Sequence, residues 1–330
     1  MSCFGAKDMS SHMVSFYLVL SVIAGLYGVT SDAFAKKLNV VSTVAPIVNL
    51  VKNIGGDRID LHGIVPEGTD SHTFEPRPSD IGIIAGADLM ILNGLNLETP
   101  TEKLIGANGK PGAVVLKLGD NTISKEEWIF DFSFPKAEGN PNPHLWMNVP
   151  YAMRYVELVR DKLIALDPDN KEFYSKRAEL YLARLEQLDK SIQEAVNTVP
   201  PENRKLLTYH DSWAYFARRY GMTVIGAIQP SSFSEPSPRE VARIIDQLKA
   251  EKVPAIFGSE VFLSKVLEQI GREAKVQYVY TLRDDDLPGP IDSLEHTYLG
   301  MMIEDIKTMV KALGGNPEAL KEIDPSDIEN

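Results

Sequence analysis

Near the middle of the chain, the segment DPDNKEFYSKRAELYLARLEQLDKSIQEAVNTVPP places Tyr174, Ala178, Tyr181, Leu185, Leu188, Ile192 and Val196 at spacings of three and four, with no glycine or proline inside the pattern. That period predicts one helix of about 28 residues, about 40 Å long at the standard rise. Such a helix exceeds the ordinary globular length, and its central position makes it a stiff spine between two lobes. The 330 residues are likewise too many for one typical core and fit two.

On either side of the spine, short β-branched runs alternate with helical patterns. Leu38 to Val44, Ile59 to Val65, Asp88 to Asn93 and Ala113 to Leu118 read as strands, with helices over Ile47 to Ile54 and Ser79 to Ala85 between them. Leu206 to Tyr209, Thr223 to Ile228, Ala255 to Gly258 and Val276 to Tyr280 repeat the plan. One helix of this second half opens on Ser237-Pro238-Arg239-Glu240, a capping box with proline at the first helical position. Alternation of this kind predicts an α/β fold of two lobes, each a parallel sheet flanked by helices. The expected division is a lobe over 36–167, the spine over 168–199 and a second lobe over 200–330. Asn121 to Pro143, rich in aromatic, acidic, glycine and proline residues, reads as a long loop.

Residues 1–35 read as a signal peptide. Val14 to Val29 is almost wholly apolar, and Ala33-Phe34-Ala35 supplies a small-x-small cleavage site. The run is about 16 residues, short of the roughly 18–20 that span a bilayer. The single cysteine, Cys3, precedes the run rather than following it, so the expected mature chain is cysteine-free, without a lipid anchor or transmembrane segment, and periplasmic. Thiolate metal sites and cysteine catalysis are thereby excluded, and stability must come from core burial. With 34 Lys+Arg against 46 Asp+Glu, the net charge is -12 and no basic cluster stands out; nucleic acid is not an expected partner.

The candidate chemistry lies in the histidines. His72 in PEGTDSHTFEPRPSD, His144 in NPNPHLWM and His210 in LLTYHDSW all follow predicted strands. In open α/β sheets the ligand crevice forms beyond the carboxyl ends of the strands, so three imidazoles from both halves share one rim and are expected to converge. Asp284-Asp285-Asp286 follows the last strand onto the same rim, although Leu287-Pro288-Gly289 beside it also suits a solvated turn. Imidazoles plus a carboxylate make a site for a first-row divalent metal, and four such ligands satisfy zinc. His62, inside a strand, reads as a surface residue, and His296, where the last helix begins, as a cap or a neighbour of the site. Glu260, at a strand end, reads as a solvated or helix-capping carboxylate, with support of the ligands as the alternative, and Trp146 and Trp213 as walls that keep the site dry. No GxGxxG, P-loop, GxSxG or HExxH pattern is present.

The segments PEGTDSHTFEPRPSD, NPHLWMNV, YHDSWAYFARRYG and HTYLGMM resemble, in order, the motifs of the periplasmic zinc- and manganese-binding solute-binding proteins of ABC importers. The resemblance spans nearly all of 38–315 and implies two α/β lobes joined by a rigid helix, with the metal held between them. It carries the ligand roles to His72, His144 and His210. Histidine at the third position, where manganese-type members tend to have glutamate, favours Zn(II) over Mn(II). The family's fourth ligand is an aspartate soon after the last inner strand. Here Tyr280-Thr281 is followed by Leu282, and matching the leucine that follows the family's aspartate selects Asp285, with Asp286 as the alternative. The histidine-rich loop of some zinc members is absent.

The sequence therefore predicts a monomeric receptor, not an enzyme, that captures Zn(II) and passes it to the membrane permease of an ABC importer. A secreted zinc hydrolase is the rival, since three histidines leave a fourth position for water. A surface adhesin is a third reading, and it would need an anchor. Because imidazoles ligate only when neutral, affinity is expected to fall steeply between about pH 7.5 and 5.5.

Overall fold

The computed structural model describes residues 36–261 and 265–329; the signal segment lies outside the described residues. The first half contains β1 (Leu38–Ser42), α1 (Ala45–Gly55), β2 (Ile59–Gly63), α2 (Pro78–Gly86), β3 (Leu89–Leu92), α3 (Thr99–Asn108), β4 (Val114–Lys117) and α4 (Val149–Leu166). The second contains β5 (Lys205–Thr208), α6 (Ala214–Tyr220), β6 (Thr223–Ala227), α7 (Pro238–Glu251), β7 (Ala255–Ser259), α8 (Lys265–Ala274), β8 (Gln277–Leu282) and α9 (Tyr298–Ala312). Between them runs α5 (Lys171–Asn197), 27 residues long. The two sheets are wholly parallel and have the same order, β2-β1-β3-β4 and β6-β5-β7-β8. The expected fold class is the observed one.

Side-chain alternation sorts each sheet between two cores. Val40, Leu89 and Ile91 face an apolar cluster shared with α1, α4 and α5, while Val41, Met90 and Leu92 face a second cluster with Ile84 and Ile105 of α2 and α3. Likewise Leu206, Ala255 and Phe257 join the shared cluster, and Leu207 and Ile256 pack with Ile245, Leu248, Leu267 and Ile270 of α7 and α8. One core thus runs from sheet to sheet through Tyr174, Tyr181, Leu185, Leu188 and Ile192 of α5. The spine touches the first half near its start, where Arg58 lies over Phe173. Near its end it touches the second, where Asp189 accepts from Arg219 Nε at 3.1 Å and from the Tyr220 hydroxyl at 2.8 Å.

Residues after α9 then return to the first half. Asp327 Oδ1 accepts from Asn49 Nδ2 (2.9 Å) and Asn53 Nδ2 (2.8 Å) of α1, and the Ile328 N–H donates to Asn53 Oδ1 (2.8 Å). Buried Arg177 of α5 donates to the carbonyls of Asn53, Ile328 and Glu329 at 2.8–2.9 Å. Among the described residues, no helix is long and apolar enough to cross a membrane.

Candidate metal centre

Every group expected at the site follows the carboxyl end of a strand. His72 lies in the loop after β2, where its N–H donates to Asp70 Oδ1 at 2.9 Å. His144 ends the long loop after β4, and His210 stands two residues past β5. The structure brings the three rings together. Nε2 of His72 is 3.2 Å from Nε2 of His144 and 3.2 Å from Nε2 of His210, which are 3.0 Å from each other. A tetrahedral zinc with bonds of 2.0–2.1 Å has a ligand–ligand edge of about 3.3–3.4 Å, so the triangle nearly matches one face of that polyhedron. Neutral imidazoles cannot all hydrogen-bond in such a cluster; an ion between them accepts every lone pair.

The carboxylate oxygen nearest this triangle belongs to Asp284 rather than to Asp285 or Asp286, which the family motif selects. Asp284 Oδ2 lies 3.3 Å from His210 Nε2 and 3.8 Å from His144 Nε2, and among the described residues no hydrogen-bond donor reaches it. Asp285 Oδ2 accepts the Ser71 N–H at 3.2 Å while its buried Oδ1 has no hydrogen-bond partner among the described residues, and both oxygens of Asp286 accept the Gly68 N–H at 2.8–2.9 Å. The physical reason is a tight turn around Glu260. Its Oε1 accepts the N–H groups of all three aspartates at 3.0–3.2 Å, and the Trp146 indole holds the Asp284 carbonyl at 2.9 Å. The turn keeps the first aspartate nearest the rim and sends the next two toward the loop that carries His72. Glu260 is therefore the anchor of this turn rather than a solvated carboxylate. His296 pairs with Glu67 at 3.1 Å, away from the triangle, and His62 lies exposed beside Asp60.

Two amides missed by sequence reasoning orient the rings. Asn142 Oδ1 accepts from His144 Nδ1 at 2.8 Å and from its backbone N–H at 3.1 Å. Gln229 Oε1 accepts from His210 Nδ1 at 2.7 Å. Because an amide oxygen only accepts, both rings carry their proton on Nδ1 and present a lone pair at Nε2. For Asn142 a local signal existed, since Asn two residues before His is an Asx-turn spacing; for Gln229 there was none.

The site is dry: His144 is 0 % exposed, Asp284 3 % and His210 4 %. Burial, reinforced by the neighbouring His210, holds the His72 and His144 imidazoles well below their ordinary range. Burial, reinforced by Glu260, pushes the Asp284 carboxyl well up. Behind the rings, half-buried Asp131 meets buried Asp211, and both are tied to the site by Asn142, whose Nδ2 donates to Asp131 Oδ2 and to the Asp211 carbonyl. Desolvation and the like charge of Asp211 drive the Asp131 carboxyl upward.

Comparison with known proteins places this geometry in a family. The family described as zinc-uptake complex component A, periplasmic, matches residues 40–312. A manganese ABC transporter substrate-binding lipoprotein of Streptococcus anginosus is 31% identical over 280 residues, covering 82% of this chain and 87% of the relative. The solved structure of the periplasmic zinc binding protein TroA from Treponema pallidum superposes with a TM-score of 0.76 at 28% identity, over 84% of this chain and 99% of that one. A Mn-bound periplasmic metal binding protein from candidatus Liberibacter asiaticus gives 0.71 at 29% identity, over 84% and 100%. None of these is described as a hydrolase, and that reading finds no support. The chain belongs to the family of periplasmic zinc-uptake component A, the metal-binding receptors of ABC importers, and is not an enzyme.

Proposed function

We propose that this receptor captures Zn(II) between its two halves with His72, His144, His210 and Asp284 as ligands, and delivers it in the periplasm to a membrane permease. The observation that carries the reading is the triangle of Nε2 atoms at 3.0–3.2 Å with a buried carboxylate oxygen at 3.3 Å from one corner. Three neutral nitrogens, closed by one charged oxygen drawn onto the ion, would make a four-ligand shell that suits zinc, whereas manganese favours oxygen-rich sites. We place the lobes at 36–167 and 200–330 with the spine at 168–199, export by the segment 1–35, and a monomer as the working form.

Manganese is the second reading, because the Streptococcus anginosus relative is named for it and the Liberibacter structure holds it. Metal-free protein titrated with Zn(II), Mn(II) and Cu(II) against a competing chelator, with elemental analysis of the protein as purified, separates the two. Zinc bound one per chain and more tightly than manganese by about 100-fold or more is expected from the affinity order for such ligands. Preferential retention of manganese would overturn the zinc assignment. Unchanged zinc affinity in His144→Ala would overturn the site.

A further inference from the structure

Of the groups that meet at the centre, His144, His210 and Asp284 are buried and His72 is half-buried. An ion therefore reaches the centre past His72. A cavity of about 100 Å³ opens on that side, walled by His72, Phe134, Pro143 and Phe233, with Asn96 and Glu138 among its polar lining. At about 30 Å³ per water, it has room for an ion with part of its hydration shell.

The ring of Phe233 closes this route. It stacks on the His72 imidazole with centroids 4.7 Å apart and planes 13° from parallel, while Phe134 leans on the same imidazole at 5.4 Å. His72 belongs to the first half and Phe233 to the loop between β6 and α7 of the second, so the stack joins the two halves across the mouth of the site. That loop is fixed at both ends. The Gln229 N–H donates to the Tyr209 carbonyl at 2.9 Å, and Ser237 caps α7. Between these anchors Phe233 adopts φ 54°, a left-handed conformation that a bulky side chain adopts only when its surroundings impose it. The turn that sets this angle, closed by the Phe233 N–H on the Pro230 carbonyl at 2.9 Å, holds the ring over His72, and swinging it off costs the stack.

We propose that Phe233 is the gate of the site: the ion enters and leaves through the cavity beside His72, and passage requires the Phe233 ring to leave the imidazole. This rests on the metal-receptor reading above. A gate acts on the passage rather than on the bound state, so its removal accelerates both directions together.

The test is stopped-flow kinetics on the whole protein, with association followed by competition against a fluorescent zinc chelator and dissociation by transfer to excess EDTA. Phe233→Ala is expected to raise both rates about five- to tenfold, the worth of one aromatic stack, with the equilibrium constant within about threefold of the parent. Phe233→Leu, which fills space without stacking, falls between. Mn(II) in place of Zn(II) gives a similar factor, because passage and not coordination is changed. Rates within about twofold of the parent would overturn the proposal. So would a rise in dissociation alone with a proportional loss of affinity, since Phe233 would then only buttress His72. His144→Ala, measured beside these variants, reports separately on the receptor reading: if it binds zinc like the parent, the site itself is wrong, whatever Phe233 does.

Discussion

Replacing Gln229 by alanine removes the amide oxygen that receives Nδ1–H of His210 at 2.7 Å, at a position 1 % exposed. With that oxygen present, the ring proton is confined to Nδ1 and the Nε2 lone pair faces its counterparts on His72 and His144. In the variant a buried N–H loses its acceptor, which costs about 1–3 kcal/mol. The ring relieves this by moving its proton to Nε2, where Asp284 Oδ2 at 3.3 Å receives it. That tautomer cannot ligate, so a metal must first reverse the shift. The expected loss is about 10- to 100-fold in zinc affinity, or about 1.4–2.7 kcal/mol. Competitive titration at about pH 7.5 measures it directly. Thermal unfolding supplies a second readout, because zinc at about 1,000 times the parent Kd stabilises by about 4.1 kcal/mol. A variant binding about thirtyfold more weakly keeps about 2 kcal/mol of this at the same zinc concentration, so its loaded Tm falls by about 4 °C for a chain of this size. Gln229→Glu retains the acceptor and holds or raises affinity, and Asn142→Ala repeats the loss through His144. Affinities within about threefold of the parent in both alanine variants would refute the argument that these amides set the tautomers.

Among the three aspartates, Asp284→Ala is expected to weaken zinc binding about 100-fold and Asp285→Ala or Asp286→Ala less than about tenfold, because the Asp284 oxygen lies nearest the imidazole nitrogens; the reverse order in the same titration would return the fourth ligand to the position the family motif selects. The pH dependence should be shallower than three ordinary histidines would give. Burial pushes the His72 and His144 imidazoles down, so protons compete less for their lone pairs, and pushes the Asp284 carboxyl up, so protons compete more for its oxygen. Affinity is expected to rise with pH less steeply than the three protons of three ordinary imidazoles would give, and a slope near three in the same titration would contradict this. Finally, Glu98, buried against Thr43 and the N–H groups of Asn93 and Gly94, is raised by desolvation to about 7. A carboxyl raised in the folded state binds more protons there than when unfolded, so the metal-free protein should lose stability between about pH 4.5 and 7. A metal-free Tm that climbs across that window would contradict this.

The strands were legible because parallel strands buried on both faces read as continuous β-branched runs, and the spine because its apolar period is long and unbroken. Helices α3 and α4 went unread. In α3, Thr99-Pro100-Thr101-Glu102 opens a segment with two buried residues, too few for a period to emerge; α4 was overshadowed by the stronger pattern of α5 beside it. His72, His144 and His210 stood out because each follows a strand on a rim the topology shares. The choice among three consecutive aspartates was not legible: neighbouring side chains in a turn point in different directions, and Glu260, some 24 residues before Asp284, decides which one faces inward. Gln229 acquires its role only when the ends of β5 and β6 lie side by side, and Phe233 only when the two halves of the chain meet, relations that no local pattern encodes.

The return of residues 327–328 to α1 has a consequence for the order in which the protein can be finished. Asn49 and Asn53 of the first long helix are buried, 3 % and 0 % exposed, and their partners Asp327 and Ile328 lie 274–278 residues downstream. At about 5–20 residues per second of synthesis, those partners emerge about 15–55 s after the helix. Until then Asn49 and Asn53 have only each other and water as partners, and burying them would cost about 1–3 kcal/mol each. The half of the molecule made first therefore completes its packing last, and a chain still being made remains looser, and easier to thread, than its early secondary structure would suggest.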